Sequence, residues 1–254
     1  MPLLELNEVT IKFGGLIAVD SVDLTIEKGQ IQALIGPNGA GKSTVFNLVT
    51  GIYPPTSGTI SFKGQTINGK KPYNITKLGI ARTFQNIRLF NELTVLDNVK
   101  IGRHCRSKAG PFGGIIQPPS VKREEKEIEQ RSLECLRLMD LGDKAEELAR
   151  NLPYGEQRRL EIARAMASDP EILLLDEPAA GMNPQEKMVL VEKIKKIREM
   201  GLTIFLVEHD MKFVMGISDR VAVLDYGKKI ADGPPDAVQK NPEVIAAYLG
   251  KEVI

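Results

Sequence analysis

The sequence predicts an α/β fold: a mostly parallel core sheet with helices on both faces, an antiparallel β subdomain at the N-terminus, and a helical subdomain inserted in the core. Three observations predict it. The apolar run "QIQALI" (30–35) ends at glycine and passes through a Gly-rich loop into a helix that starts at Lys42. From residue 171 apolar strands alternate with helices, the pattern of a parallel sheet buried on both sides. Between these two regions, around residues 92–150, the composition becomes helix-forming.

Along the chain, residues 3–13, 22–31 and 58–67 show partial period-2 alternation and are separated by Gly-Gly, Lys-Gly and Ser-Gly turns, so each reads as a strand. The helix from Lys42 stops at Gly51. "AGPFGGIIQPPS" (109–120) reads as a Gly/Pro-rich loop carrying Phe112, Ile115 and Ile116. The helix after it, "VKREEKEIEQRSLECLRLMDLG", turns Ile128, Leu133, Leu136 and Met139 inward and a charged face to solvent. In "NLPYGEQRRLEIARAM" (151–166) a turn at Pro153-Tyr154-Gly155 opens a helix whose apolar side is Leu160, Ala163 and Met166 or Ala167. "EILLLDEP", a helix at 185–200, "LTIFLVEHD", a helix near 211–217 and "RVAVLDYGKKIADG" complete the alternation. We read residues 1–254 as one domain, with the helical subdomain at roughly 90–165.

Composition bounds the function. Apolar residues make up 42% and charged residues 26%, values of a soluble globular chain. A formal net charge of +1 gives no global field toward nucleic acid or an anionic membrane, and no nucleic-acid partner is expected. The longest apolar runs fall far short of the roughly 20 residues that a bilayer span needs. The start, Met-Pro-Leu-Leu-Glu, lacks the features of a signal peptide. Cys105 and Cys135 have no paired spacing and are expected as reduced thiols, and His104 beside Cys105 lacks the further ligands of a metal site.

Three motifs carry chemistry. "GPNGAGKST" (36–44) fills every fixed position of the phosphate-binding loop pattern, between a strand and a helix. Gly36, Gly39 and Gly41 let the backbone curl so that N–H groups along Gly36-Pro37-Asn38-Gly39-Ala40-Gly41 point at a β-phosphate. Lys42 supplies positive charge near the β/γ-phosphates, the Ser43 hydroxyl can ligate Mg²⁺, and Thr44 closes the motif. "ILLLDEP" (172–178) delivers Asp176 and Glu177 to the carboxyl end of a buried strand, where open α/β sheets bind ligands. Asp176 suits the Mg²⁺ shell and Glu177 can act as general base on a water; solvated acids capping a strand are the alternative. "TIFLVEHD" places Glu208, His209 and Asp210 at a further strand end, where His209 can hold a γ-phosphate and the attacking water. A second helix start, at Gly155, offers another anion site whose purpose the motifs alone leave open.

Taken in order, GPNGAGKST, LPYGEQRR, ILLLDEP and VEHD resemble the ATPase subunits of ATP-binding-cassette (ABC) transporters, across nearly the whole chain. The resemblance implies a P-loop NTPase fold and ATP hydrolysis with Mg²⁺. It also implies a head-to-tail pair with a second ABC ATPase subunit, an identical or a sister chain. In that family Gly155 and its helix cap the γ-phosphate held by the partner, which explains a second anion site. Here the family's usual Leu-Ser-Gly-Gly-Gln reads Leu152-Pro153-Tyr154-Gly155-Glu156: the serine hydroxyl is missing and Glu156 adds negative charge near that phosphate. Stabilisation of the helix dipole is the other reading of Glu156. By the same resemblance Phe13 occupies the place of an adenine-stacking aromatic, with a core phenylalanine as the alternative. Gln85 matches the glutamine that joins the helical subdomain to Mg²⁺ and the attacking water. "AGMN" (180–183) matches a partner-facing loop, and Asn183, Pro184 and Glu186 also read as a capping box.

Longer stretches, among them "GIARTFQNIRLF", "LPYGEQRRLEIARAM" and "NPEVIAAYLG", look like the ATPase of branched-chain amino-acid importers; urea or amide importer ATPases and the lipopolysaccharide-export ATPase are close relatives. This implies transmembrane permease partners and a place on the cytoplasmic face of the cell membrane. Ile87, Leu89, Phe90 and Leu93 are then candidates to line a groove for a permease helix, or else are core of the helical subdomain. A soluble cassette protein of translation or DNA maintenance would carry two cassettes or a long coiled coil, and this chain shows one motif set and no sustained heptads. A P-loop kinase would need an acceptor site and a lid and has no use for LPYGEQ; a non-hydrolysing scaffold has no use for Glu177.

Overall fold

The computed structural model describes residues 2–106 and 119–249, so Phe112, Ile115 and Ile116 of the Gly/Pro-rich loop lie outside the described residues. Two sheets stack on one shared core. The antiparallel sheet joins β1 (Pro2–Phe13), β2 (Leu16–Glu27), β4 (Ser57–Phe62) and β5 (Gln65–Thr66) in the order β2-β1-β4-β5. The central sheet runs β10-β9-β3-β8-β7-β6, from β3 (Ile31–Ile35), β6 (Ile80–Arg82), β7 (Ile172–Asp176), β8 (Thr203–Val207), β9 (Arg220–Asp225) and β10 (Lys228–Gly233). Its pairings are parallel except for β9 with β10.

The expected strand at 22–31 is corrected. β2 begins at Leu16, directly after the Gly14-Gly15 turn, and stops at Glu27, while Ile31 already opens β3 of the other sheet. The start of β2 lacked the expected alternation because Leu16 and Ile17 are exposed, at 67% and 42%.

β3, β7 and β8 are buried at every position, which is why they read as continuous apolar runs. Alternate side chains serve different cores. Leu34, Phe205 and Val207 pack with the antiparallel sheet and with α1 (Lys42–Val49); Ala33, Ile35, Ile204 and Leu206 face the helices on the other side. α2 (Pro72–Leu78) leads into β6. Between β6 and its parallel neighbour β7 the chain forms α3 (Val95–Arg103), α4 (Pro119–Leu138) and α5 (Tyr154–Met166). The chain therefore leaves and re-enters the sheet at adjacent strands. On α4, Leu136 and the following Met139 are buried and Ile128 and Leu133 half-buried, while Ser132 and Cys135 share the inner face. On α5 both Met166 and the following Ala167 are buried.

α6 (Pro184–Glu199) starts with the capping box read from sequence, Asn183 and Glu186 satisfying each other's backbone amides. α7 (Met211–Ile217) is capped by Asp210, and α8 (Pro235–Gln239) and α9 (Pro242–Leu249) close the chain beyond β10. Among the described residues no helix is long and apolar enough to cross a membrane.

The fully buried rings of Phe46 on α1 and Phe205 on β8 lie 4.8 Å apart and clamp α1 to the sheet. Phe205→Ala is expected to destabilise the chain by about 3–5 kcal/mol through the cavity it leaves, measured by equilibrium denaturation.

Candidate functional site

The phosphate-loop residues occupy the junction between β3 and α1. Gly36 has φ 147°, and a Cβ there would sit 2.1 Å from the Leu224 carbonyl oxygen, so only glycine lets β3 end this close to β9. Gly41, at φ 103°, sits at the start of α1 with no side chain capping the first turn, which leaves the helix N-terminus to an incoming anion. Lys42 is 7% exposed, and its Nζ donates to the Gly36 and Pro37 carbonyl oxygens at 2.7 and 2.9 Å. Burial lowers the pKa of this ammonium, and the facing carboxylates Glu177 and Asp176 pull it back up.

Three strand ends converge on the loop. Asp176 closes β7, 3% exposed, and its Oδ2 accepts from Arg82 Nη2 at 2.8 Å. Its Oδ1 is buried and has no hydrogen-bond partner. Glu177 follows with φ 47°, a turn held by its N–H donating to the Val207 carbonyl at 2.9 Å. The Gln85 amide donates to Glu177 Oε2 at 3.1 Å, and His209 Nδ1 lies 3.7 Å from the same oxygen. A cleft of about 560 Å³ is lined by Phe13, residues 38–44, Gln85 and Glu177. Gly36 and Pro37 lie behind it, on Lys42. Phe13 is 43% exposed and meets the Tyr53 ring edge-on at 5.2 Å, so the core alternative for Phe13 is excluded.

Gly155 and Glu156 are not among the residues lining this cleft. Gly155 packs against α6: a Cβ would lie 2.5 Å from Glu186 Oε1, so a side chain there would displace the Glu186 carboxylate. The Glu156 charge that looked unfavourable in the sequence is compensated, because Lys144 Nζ donates to both carboxylate oxygens at 2.8 and 2.6 Å and Arg159 stands 3.7 Å away. Of the apolar groove candidates, Leu89 packs onto the core, Ile87 is half-buried, and Phe90 and Leu93 are exposed at 49% and 36%. Phe90 lies beside Phe84, Arg88 and Arg164 along a cleft of about 370 Å³.

Arg82 and Tyr226 went unremarked in the sequence, and Glu208 was named there without a role of its own. Arg82 reaches Asp176 and also Asn47 Oδ1 at 2.7 Å; an arginine directly after the apolar Ile80-Ala81 was the available signal. Tyr226, 86% exposed in the β9–β10 turn, borders the nucleotide-loop cleft, and no pattern marked it. Glu208 is 1% exposed, and it accepts from the Ala179 and His209 amides at 2.8 and 3.1 Å, tying the 177–183 loop to the His209 turn.

A family model described as "ABC transporter" matches residues 19–180. The chain belongs to the ABC transporter family. A second model of the family, described as "Branched-chain amino acid ATP-binding cassette transporter", matches residues 228–254. The chain is 49% identical to the high-affinity branched-chain amino acid transport ATP-binding protein LivG of Escherichia coli K12, over 98% of each chain. It is 46% identical to BraF of Pseudomonas aeruginosa, a protein of the same description, with the same coverage. An ATP-binding cassette of an ABC transporter in its ADP conformation superposes with TM-score 0.86 at 30% identity, covering 98% of this chain and 99% of that one. A dimeric cassette in a post-hydrolysis state, bound to ADP and Pi, superposes with TM-score 0.76 at 28% identity over 91% and 98%. The fold of this ABC family member is thus the P-loop NTPase cassette with its N-terminal antiparallel sheet.

Burial raises the pKa of Glu208 above the ordinary carboxylate value, although its backbone N–H donors pull the other way. In the window between the unfolded and the raised folded value the folded chain binds more protons than the unfolded one. The stability from Glu208 is therefore full below that window and falls as pH rises through it. Glu208→Gln should lose this pH dependence, seen as a wild-type denaturation midpoint that declines relative to the variant as pH rises above the ordinary carboxylate range.

Proposed function

We propose that this chain is the ATP-hydrolysing subunit of an importer for branched-chain amino acids, working as one of a pair beneath separate membrane-spanning permeases at the cytoplasmic face of the membrane. The full-length identity to LivG and BraF supports the cargo class. The hydrolytic reading rests on one observation: the Glu177 carboxylate, flanked by Gln85 at 3.1 Å and His209 at 3.7 Å, shares a cleft with the Lys42 loop.

In this reading Phe13 stacks on the adenine, and the N–H groups of residues 38–44 hold the phosphates, with Gly36 and Pro37 shaping the loop. Lys42 exchanges its loop carbonyls for β/γ-phosphate oxygens, which are charged and therefore stronger acceptors. Glu177 takes the proton of the attacking water, while Gln85 and His209 hold that water and the γ-phosphate in line. The donor set Ser43 hydroxyl, Gln85 amide oxygen and Asp176 carboxylate is all oxygen, which suits Mg²⁺, and the unpartnered Oδ1 of Asp176 fits the role. Bound Mg²⁺ would neutralise charge between the β- and γ-phosphates. Among the described residues no cluster of three His, Cys, Asp or Glu competes as a metal site. Gly155, and the helix start that includes Glu156, face the nucleotide of the partner chain, so each nucleotide sits between two chains. The helical subdomain at roughly 90–165 carries that helix.

The substitution Glu177→Gln should leave nucleotide binding intact and slow turnover by about 10²–10⁴-fold, the usual worth of a positioned base. ATP should then trap the pair, seen as a nucleotide-dependent dimer on size-exclusion chromatography. Near-normal hydrolysis by this variant would remove Glu177 from the mechanism.

The permease contact is assigned to the cleft beside Phe90, where exposed apolar surface is rimmed by Arg88 and Arg164. Phe90→Asp should leave the ATPase of the isolated subunit intact while abolishing association with the permease and transport. Normal assembly and transport by the variant would place the contact elsewhere.

A further inference from the structure

The turn that opens α5 and the segment that carries Gln85 are joined by two side chains, one a departure from the family motif and the other just beyond it. Tyr154 stands where the usual motif has glycine, and Arg158 lies one helical turn on. The Arg158 guanidinium is 5% exposed. Its Nη1 donates to the Phe84 carbonyl at 3.0 Å and its Nη2 to the Gln85 carbonyl. The same guanidinium donates to the Tyr154 hydroxyl, from Nη2 at 2.9 Å and from Nε at 3.2 Å. One buried cation therefore holds the backbone of the Gln85 segment on one side and the side chain of the α5 turn on the other.

The contacts continue into a closed ring. The Tyr154 ring covers Gly181, where a Cβ would come within 3.0 Å of Tyr154 Cε1. Gly181 belongs to the loop that begins at Glu177, whose carbonyl accepts the Ala180 N–H at 3.1 Å. Glu177 in turn accepts from the Gln85 side-chain amide at 3.1 Å. From Gln85 the path returns through Arg158 to Tyr154. A planar guanidinium bonded to two carbonyls and a hydroxyl has little freedom to rotate, so displacement of one side is passed to the other. Glu161, 2% exposed and 3.6 Å from Arg158, supplies the balancing charge.

We propose that Tyr154 and Arg158 are positioning residues that lock the Gln85 segment to the turn at residues 152–155, so that nucleotide met by Gln85 and Glu177 in one site sets the position of the turn offered to the other. This rests on the reading above, in which Gln85 and Glu177 face the chain's own nucleotide and the Gly155 turn faces the partner's. It names two sites and the physical link between them. Pairs of the chain then hydrolyse ATP cooperatively because each site adjusts the other's donor turn.

The test uses the full chain and the variants Tyr154→Phe, which keeps the ring over Gly181 but removes the hydroxyl, and Arg158→Lys, which keeps the charge but lacks the rigid planar fork that spans the two carbonyls and the hydroxyl. Amide hydrogen exchange is followed at residues 84–88 and 152–157, with and without a non-hydrolysable ATP analogue, at dilutions where the chain is monomeric. In the wild type the analogue should slow exchange in both segments; in either variant it should slow exchange only in 84–88. The Hill coefficient for ATP hydrolysis should fall toward about 1 in the variants, below its wild-type value for two coupled sites. A lowered melting temperature with the two-segment response retained makes the residues merely structural and overturns the proposal. So does a wild-type chain whose 152–157 segment ignores the analogue. Failure of the partner-site reading looks different: the wild-type Hill coefficient itself would be about 1, while the exchange pattern of the monomer stays as described.

Discussion

The site depends on how closely the end of β3 passes β9. At residue 36 a single added carbon would meet the Leu224 carbonyl oxygen at 2.1 Å, so the strand can turn into the phosphate loop here only as glycine. The same close passage fixes the β9–β10 turn, since the Gly227 N–H donates to the Ala40 carbonyl at 3.0 Å and the Gly227 carbonyl accepts from the Asp20 amide at 2.9 Å. The loop is thereby tied to the antiparallel sheet on one side and the central sheet on the other. Phe13, which lies at the end of β1, and Lys42, at the start of α1, face one cleft because of those ties.

Charge in the cleft is arranged around burial. Arg82 and Asp176 form an ion pair with side chains 9% and 4% exposed. A buried pair of this kind contributes little net stability, since desolvation offsets the attraction, but losing either partner strands a charge. Its consequence here is geometric. Arg82 takes one carboxylate oxygen, lies near the Phe46 and Phe84 rings, and leaves Oδ1 as the open acceptor beside the loop. Glu208 does comparable work on the backbone: its carboxylate joins residues 179 and 209, so the loop after Glu177 and the turn carrying His209 share one anchor.

The parts of this architecture that were legible in sequence are those set by local rules. A continuous apolar strand, a Gly-rich loop and a helix start read directly from residues 30–51 because each obeys backbone sterics or burial within a few residues. The capping box at Asn183 is local in the same sense. What escaped was long-range. Arg82 and Asp176 are 94 residues apart, Arg158 and Phe84 are 74 apart, and no periodicity reports such pairs. The beginning of β2 escaped for a different reason: its outer end borders the cleft, where Leu16 and Ile17 stay exposed and the alternation fails.

The turn at residues 152–156 shows how a departure from a motif can be consistent once the fold is known. Read alone, Pro153, Tyr154 and Glu156 replace a hydroxyl, a glycine and a neutral amide with features that look unfavourable for an anion. In the fold each has a partner. The Pro153 carbonyl accepts the N–H groups of Glu156 and Gln157 at 3.0 Å each and so starts the helix. Tyr154 is held by Arg158, and Glu156 is neutralised by Lys144, whose own pKa the contact raises. No side chain caps α5. The Pro153 carbonyl takes the Glu156 and Gln157 amides, which leaves the Tyr154 and Gly155 amides and the positive end of the helix dipole for the phosphate of the proposed reading, with the added negative charge cancelled by residues of the same chain. The substitutions change which groups surround the turn and keep the electrostatics that an anion site needs.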